Sequence, residues 1–171
     1  MYGCRVCGYS GMLHRHGHYS RNVVTLFQHF IIDIQRFKCP SCNKTYSCLP
    51  CCLIPYFIYS FDVVIFCLYC VYSLANKAAF VCKLLHSINP YSFITVQSIS
   101  FFKKRFIDNL HLTNSFFAGF DSFSYSMDLS QFTPQQSASI ILRKIYQFDS
   151  IQSFNFHFFN LLHKYFMSYN S

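Results

Sequence analysis

At 171 residues the chain has room for one medium domain or two small ones, and none for a large catalytic core with accessory units. Hydrophobic residues make up 53% and charged residues only 12%, with 22 Phe and 13 Tyr, which excludes disorder along the whole length. The formal net charge is nevertheless +8 and all six acidic residues are Asp, so an apolar yet basic chain points to an anionic partner, either nucleic acid or a membrane surface.

Residues 1–52 hold seven of the ten Cys and four of the eight His, with Arg5, Arg15, Arg21, Arg36, Lys38 and Lys44 against a single acid, Asp33. This zone reads as a small basic metal-binding unit. Residues 29–38 (HFIIDIQRFK) alternate apolar Phe30, Ile32 and Ile34 with polar Asp33, Gln35 and Arg36, the period of a strand. Residues 11–15 and 19–26 give weaker strand signals, joined at His16-Gly17-His18.

Residues 53–113 are expected to be helical. The first helix is expected at 60–74, with Ser60 at the N-cap and Asp62 in the first turn, where a negative charge suits the helix dipole. A second is expected at 76–87, ended by Asn89-Pro90. A third starts near Ser92 and sets Ile94, Ile99, Phe102, Phe106 and Leu110 on its inner face, with Lys103, Lys104 and Arg105 in its middle. A short helix, a tight turn and a longer basic helix together outline a helix-turn-helix.

Residues 114–171 are rich in Ser, Phe, Asn and Gln and lead into two more helical patterns. Thr133-Pro134-Gln135-Gln136 supplies an N-cap, a proline at the first helical position and a capping-box partner, with Ala138, Ile141, Ile145 and Phe148 facing inward. A last helix at 151–168 carries Phe154, Phe158, Leu161, Leu162, Tyr165 and Phe166 on a broad apolar stripe. These C-terminal helices either close the core or pair two copies of the chain as a homo-oligomer. The fold class expected is therefore α+β: an N-terminal antiparallel ribbon (1–52), a helical region (53–113) and a helical C-terminal segment (114–171).

Residues 53–75 raise the membrane question directly. Pro55 and Asp62 interrupt that stretch and leave about 13 apolar or near-apolar residues, where a span needs about 20. A buried core helix is the expectation, and a small membrane protein the lesser alternative. Met1-Tyr2-Gly3-Cys4 lacks the basic stretch and apolar run of a secretory signal, so a cytoplasmic location is expected. In that compartment clustered cysteine pairs serve as metal ligands before disulfides.

The strongest motif is Cys4-Arg5-Val6-Cys7-Gly8 paired with Cys39-Pro40-Ser41-Cys42-Asn43, two CxxC pairs 31 residues apart. A CxxC followed by Gly or Asn forms a tight knuckle that turns backbone N–H groups toward the sulfurs and aims both thiolates at one point. Two knuckles give four thiolates around a tetrahedral zinc, a closed structural site with no position left for a catalytic water. Arg5, Lys38 and Lys44 stand beside the ligands to offset the charge of the thiolates. Cys48-Leu49-Pro50-Cys51 and Cys67-Leu68-Tyr69-Cys70 are rival pairs without a following Gly or Asn. Cys67, Cys70 and Cys82 read as small core hydrophobes, whereas Cys48, Cys51 and Cys52 either pack beneath the ribbon or join the metal site. His14-Arg15-His16-Gly17-His18 offers the His-x-His metal pair of nicking enzymes that use a Tyr nucleophile. That pair wants a bulky apolar residue between its histidines, so solvent-facing side chains near a hairpin turn are the plainer reading.

Lys and Arg on the ribbon, interleaved with Tyr9, Tyr19, Phe37 and Tyr46, suit contact with a nucleic-acid backbone and stacking on bases; a solvated basic surface is the bland alternative. On the third helix Lys103, Lys104 and Arg105 would hold phosphates while Gln97, Ser98 and Ser100 reach base edges. A zinc-ribbon module that binds protein and no DNA is the competing class.

The stretches CRVCGYSGMLHRHGHYSRNV and IQRFKCPSCNKTYSCLPCCLIPYFIYSFDVV are similar to the zinc-ribbon region of bacterial transposon-associated proteins, some of them transposases and others a domain of unknown function. The resemblance covers residues 4–75, with a weaker helix-turn-helix match at 76–113. It implies DNA binding at mobile-element ends, with Cys4, Cys7, Cys39 and Cys42 as ligands of a structural Zn²⁺. The chain departs from that pattern at Cys48, Cys51 and Cys52, where the family carries mainly apolar residues. Transposases of the common type cut DNA with three acidic residues, usually two Asp and a Glu, around two Mg²⁺. This chain has no Glu, and Asp108, Asp121, Asp128 and Asp149 fall in helical or loop contexts, so a non-catalytic DNA-binding protein or the DNA-binding part of a transposase is expected.

Overall fold

A computed structural model describes residues 3–119, 128–148, 150–162 and 164–167. The fold is α+β: a three-stranded antiparallel sheet of order β1-β2-β3, followed among the described residues by six α-helices. Asp121, Asp149 and Ser168 of the sequence reading lie outside the described residues.

The strand expected at 29–38 is β2 (His29–Lys38), and β3 (Thr45–Ser47) pairs along its end. The two strands expected at 11–15 and 19–26 are instead one, β1 (His14–Val24), paired with β2 from His14↔Lys38 to Val24↔His29. His16-Gly17-His18 is not a turn. The register shifts between Arg15 and His18, a bulge that Gly17 accommodates at φ +76°. Gln35 Nε2 caps this bulge by donating to the Gly17 carbonyl at 2.6 Å.

The segment after β3 ties the sheet to the helices. Val24 N–H donates to Ile58 O at 2.9 Å and Ser60 N–H returns to Val24 O at 3.0 Å. Arg21 Nη2 donates to the carbonyls of Ile54, at 2.7 Å, and Phe57. Burial lowers the Arg21 pKa, opposed by Tyr19 and Cys52.

α1 (Phe61–Tyr72) is capped at Ser60 with Asp62 in its first turn, as the pattern predicts. The Ser60 hydroxyl makes no capping bond; it donates to Val24 O and to the Asp62 carboxylate. Phe61, Val63, Val64, Ile65, Cys67, Leu68 and Cys70 are all buried, so α1 is apolar around most of its circumference and runs through the middle of the core. At 12 residues it is too short to span a bilayer, and among the described residues no helix is long and apolar enough to cross a membrane.

α2 (Ala78–Ile88) ends at Asn89, and α3 (Val96–Asp108) begins at Thr95, whose hydroxyl accepts from Ser98 N–H at 3.1 Å. The third helix thus starts later than Ser92, which is buried in the connection. That connection spans residues 89–95, longer than the three- or four-residue turn of the tight motif. Asn89 is 1% exposed and sends Nδ2 to Thr25 O and Gln28 O, at 3.0 and 3.2 Å, fixing the β1–β2 hairpin tip against the start of the connection.

The inner-face pattern from Ile94 to Leu110 is broken at Asn109, which ends α3 and precedes α4 (Leu110–Gly119), a helix the sequence pattern does not separate. Residue 113, the end of the helical zone drawn from composition, lies inside α4. α5 (Pro134–Tyr146) has the full capping box: Gln136 N–H donates to Thr133 Oγ1 and Thr133 N–H to Gln136 Oε1, at 3.3 and 2.9 Å. α6 (Ile151–Leu162) is shorter than the 151–168 stripe, and Leu161 on it is exposed. Phe166 is fully buried from the turn beyond the helix. Phe61, Phe106, Phe116, Phe117, Phe154, Phe158 and Phe166 form the largest buried rings, with contacts such as the edge-on meeting of Phe61 and Phe166 at a centroid distance of 5.0 Å. One apolar cluster therefore joins α1 to every later helix.

Candidate metal centre and nucleic-acid face

Two knuckles of the same construction meet at the end of the sheet. Gly8 N–H donates to Cys4 O and Asn43 N–H to Cys39 O, each at 3.0 Å. Gly8 and Asn43 both take left-handed conformations, φ +73° and +59°, which is why Gly or Asn follows each CxxC. Cys4 N–H to Tyr9 O and Cys39 N–H to Lys44 O, at 2.7 and 2.9 Å, close the second ring of each knuckle.

The four sulfurs of Cys4, Cys7, Cys39 and Cys42 all lie within 4.8 Å of one another. Cys4 Sγ is 3.5 Å from Cys42 Sγ, and Cys7 Sγ is 3.7 Å from Cys39 Sγ. Four thiolates at about 2.3 Å from a tetrahedral centre stand about 3.8 Å apart, so the set fits a metal ion. The Tyr46 hydroxyl lies 2.9 Å from Cys4 Sγ and, with backbone N–H groups of Cys7 and Val6, draws the Cys4 thiol down to about 6 against the opposing effect of burial. The same contact pushes the Tyr46 phenol up to about 12. At Cys42 the Lys44 backbone N–H favours the thiolate, but burial and the thiols of Cys4, Cys7 and Cys39 outweigh it and push the group up to about 12. Sulfurs so close cannot all ionise alone; a metal ion at their centre would let them.

Among the described residues this is the one group of Cys, His or Asp close enough to hold a metal. Cys48 and Cys51 are exposed and Cys52 is half-buried beside Val23, Ile34 and Leu53, all three outside the cluster. Cys67 and Cys70 are core residues of α1, and burial pushes both thiols up, most strongly at Cys67. His14, His16 and His18 face solvent.

The cations divide into three kinds. Arg5, Arg15, Lys44 and Lys104 are exposed, while Arg36, Lys38 and Lys103 are half-buried. Arg5 lies with its guanidinium 4.6 Å from the centre of the Phe159 ring, and Lys103 Nζ is 5.4 Å from the Tyr72 ring. Arg105 corrects the sequence reading: it is 8% exposed and its Nη2 donates to Met167 O at 2.6 Å, so it faces the core and is withdrawn from any phosphate. Arg21, committed to two backbone carbonyls, is half-buried. On α3 the residues left in solvent are Val96, Gln97, Ser100, Phe101, Lys104 and Asp108, one outward face at helical spacing, with Ile99, Phe102 and Phe106 buried opposite. Of the ribbon aromatics, Tyr9, Phe37 and Tyr46 pack around Cys4, Leu13 and Cys39, and Tyr19 alone is exposed. Sequence reasoning placed Tyr46 among stacking residues and missed its bond to Cys4; its position seven residues after Cys39 carries no signal until the β2–β3 pairing is known.

The fold and site define an α+β protein with a four-cysteine cluster able to hold a metal ion at the end of a three-stranded sheet. Residues 4–76 are similar to the family described as "Domain of unknown function (DUF6431)", a stretch that takes in both knuckles, the sheet and α1. No curated protein and no solved structure matches the chain.

Proposed function

We propose that this chain is a zinc-dependent DNA-binding protein, non-catalytic or the DNA-binding part of a transposase, acting at the ends of a mobile element. Four soft thiolate donors in a tetrahedral set are the chemistry of structural zinc, held by Cys4, Cys7, Cys39 and Cys42. With four protein ligands the ion holds the two knuckles together and leaves the DNA work to side chains.

The observation that carries the reading is the outward face of α3. Gln97 and Ser100 offer hydrogen bonds of the kind that read base edges, Lys104 offers a phosphate contact, and the face stands free of the core on a helix capped at Thr95. On this reading the α2–α3 pair, despite its longer connection, would serve as a helix-turn-helix that offers this face to DNA. Arg15 and Lys44 on the ribbon add cations within the same net-basic chain. Transposition is the finer part of the reading and rests on the resemblance of residues 4–75.

Fluorescence anisotropy with duplex DNA at two salt concentrations tests it. Affinity is expected to fall steeply with salt, and Lys104→Gln to lower the log–log slope by about one. Binding that ignores salt, or an unchanged slope in Lys104→Gln, refutes the reading. Exposed Phe27, Tyr91 and Phe93 favour a second reading, a protein-binding module, which predicts the salt-insensitive result.

A further inference from the structure

Two short segments bring three large rings to one corner of the molecule. At the β1–β2 tip Thr25 N–H donates to Gln28 O at 2.8 Å; between them Leu26 packs on the core and Phe27 stands 76% exposed. In the α2–α3 connection Ser92 and Ile94 are buried, while Tyr91 and Phe93 are 63% and 74% exposed. Asn89 fastens the two segments together, donating to Thr25 O and Gln28 O and accepting from Tyr91 N–H. The Tyr91 ring meets His29 of β2 at a centroid distance of 5.8 Å, and Phe93 meets His86 of α2 at 6.3 Å. Single exposed apolar side chains are ordinary, but three large rings on segments fixed to each other form a patch of the kind that binds something.

The charge around the rings has one sign. Residues 24–32 and 76–107, which supply the tip, the connection and α2 and most of α3, contain no acidic residue. Lys77 and Lys83 stand exposed before and on α2, and Lys104 on α3. Phe93 lies two residues before the Thr95 cap and four before Gln97, so the patch adjoins the N-terminal end of the outward face of α3. A flat ring stacks on a base only where the face of that base is open, which excludes the interior of a duplex and leaves an unpaired strand.

We infer that an unpaired segment of a DNA strand docks on this corner, with its bases stacked on Phe27, Tyr91 and Phe93 and its phosphates against Lys83 and the neighbouring cations. The inference rests on the DNA reading above and adds a second contact to it: duplex on the outward face of α3, and a frayed or single-stranded end on the aromatic corner. Open rings interleaved with cations are the pairing that single strands use, whereas a peptide would ask only for apolar surface.

Fluorescence anisotropy of the metal-loaded full chain with a blunt duplex, the same duplex carrying a single-stranded thymidine tail, and free oligothymidylate tests the inference. The tailed duplex is expected to bind roughly fivefold or more tighter than the blunt one. Phe27→Leu/Phe93→Leu keeps the apolar bulk and removes two ring faces. It is expected to abolish the gain from the tail while blunt-duplex affinity, metal content and melting temperature stay as in the parent. Tyr91→Phe, which keeps its ring, is expected to retain the gain. No gain from the tail, an undiminished gain in the double variant, or a dimer of the chain that the double variant dissolves overturns the inference. If the tail adds nothing while the blunt duplex still binds, the inference about the unpaired strand falls alone. If oligothymidylate binds and the blunt duplex does not, the duplex reading of α3 falls and the unpaired-strand contact stands; binding of none of the three overturns both.

Discussion

Asn89 is the residue on which the relation between sheet and helices turns. Its side chain makes three hydrogen bonds: Nδ2 to Thr25 O and Gln28 O on the hairpin tip, and Oδ1 from Tyr91 N–H in the α2–α3 connection at 3.0 Å. Asn89→Ala leaves three backbone groups without this partner. A buried group so orphaned costs about 1–3 kcal/mol, and one that water reaches much less. Gln28 is exposed, so its carbonyl rehydrates, whereas Thr25 is half-buried and Asn89 itself is 1% exposed. The expected loss is about 2–4 kcal/mol, which for a chain of this length lowers the melting temperature by roughly 5–15 °C. Asn89→Asp is the sharper variant. It keeps the acceptor for Tyr91 N–H and nearly the same volume, but aims a charged oxygen at two carbonyl oxygens. It is expected to be at least as unstable as Asn89→Ala. Thermal unfolding followed by circular dichroism reads both variants at constant metal content. An Asn89→Asp protein as stable as the parent would refute the reasoning, because then the two amide donors contribute nothing.

Three further outcomes are expected. Cys39→Ser abolishes stoichiometric metal in the purified protein, while Cys48→Ser and Cys51→Ser retain it, as read by inductively coupled plasma mass spectrometry; metal lost from the latter two contradicts the ligand set. Thr133→Ala removes the capping box of α5 and costs about 1 kcal/mol, a fall of roughly 2–4 °C in melting temperature; an unchanged melting temperature contradicts it. Arg105→Gln and Lys104→Gln separate the two halves of the basic cluster. The first loses a buried charge-assisted bond to Met167 O worth about 1.5–3 kcal/mol, and the second stays within about 0.5 kcal/mol of the parent in stability; the reverse order in chemical denaturation would place Arg105 in solvent.

The four-cysteine cluster was legible because its determinants are local. A knuckle needs only two thiols and a residue that tolerates a left-handed backbone, and Gly8 and Asn43 supply that within five residues of Cys4 and Cys39. The capping box at Thr133 and Gln136 and the Ser60 cap position were legible for the same reason. β2 was legible because Phe30, Ile32 and Ile34 keep a period of two and no glycine interrupts it, whereas β1 was split in two because a glycine bulge and a glycine turn have the same local chemistry. Only pairing with β2 distinguishes them: Gly17 continues the strand because Arg15 and His18 both find partners on the same neighbour.

Arg105 shows where periodicity misleads. Lys103-Lys104-Arg105 is a single basic run in sequence, and hydropathy assigns all three to solvent. On α3 they point in three directions at 100° per residue. Lys104 shares the outward face with Gln97 and Ser100, Lys103 lies over Tyr72, and Arg105 turns toward the core, where the carbonyl of Met167 receives it. That acceptor is 62 residues away and belongs to a turn after α6, so no window of local sequence contains the reason Arg105 is buried. Arg5, Arg21 and Arg105 likewise come from a knuckle, a strand and a helix and line one cavity with Phe159 and Tyr165, a grouping no window of local sequence contains. Net charge raises the expectation of an anionic partner, but which cations stand in solvent is decided by packing among phenylalanines that carry no charge at all.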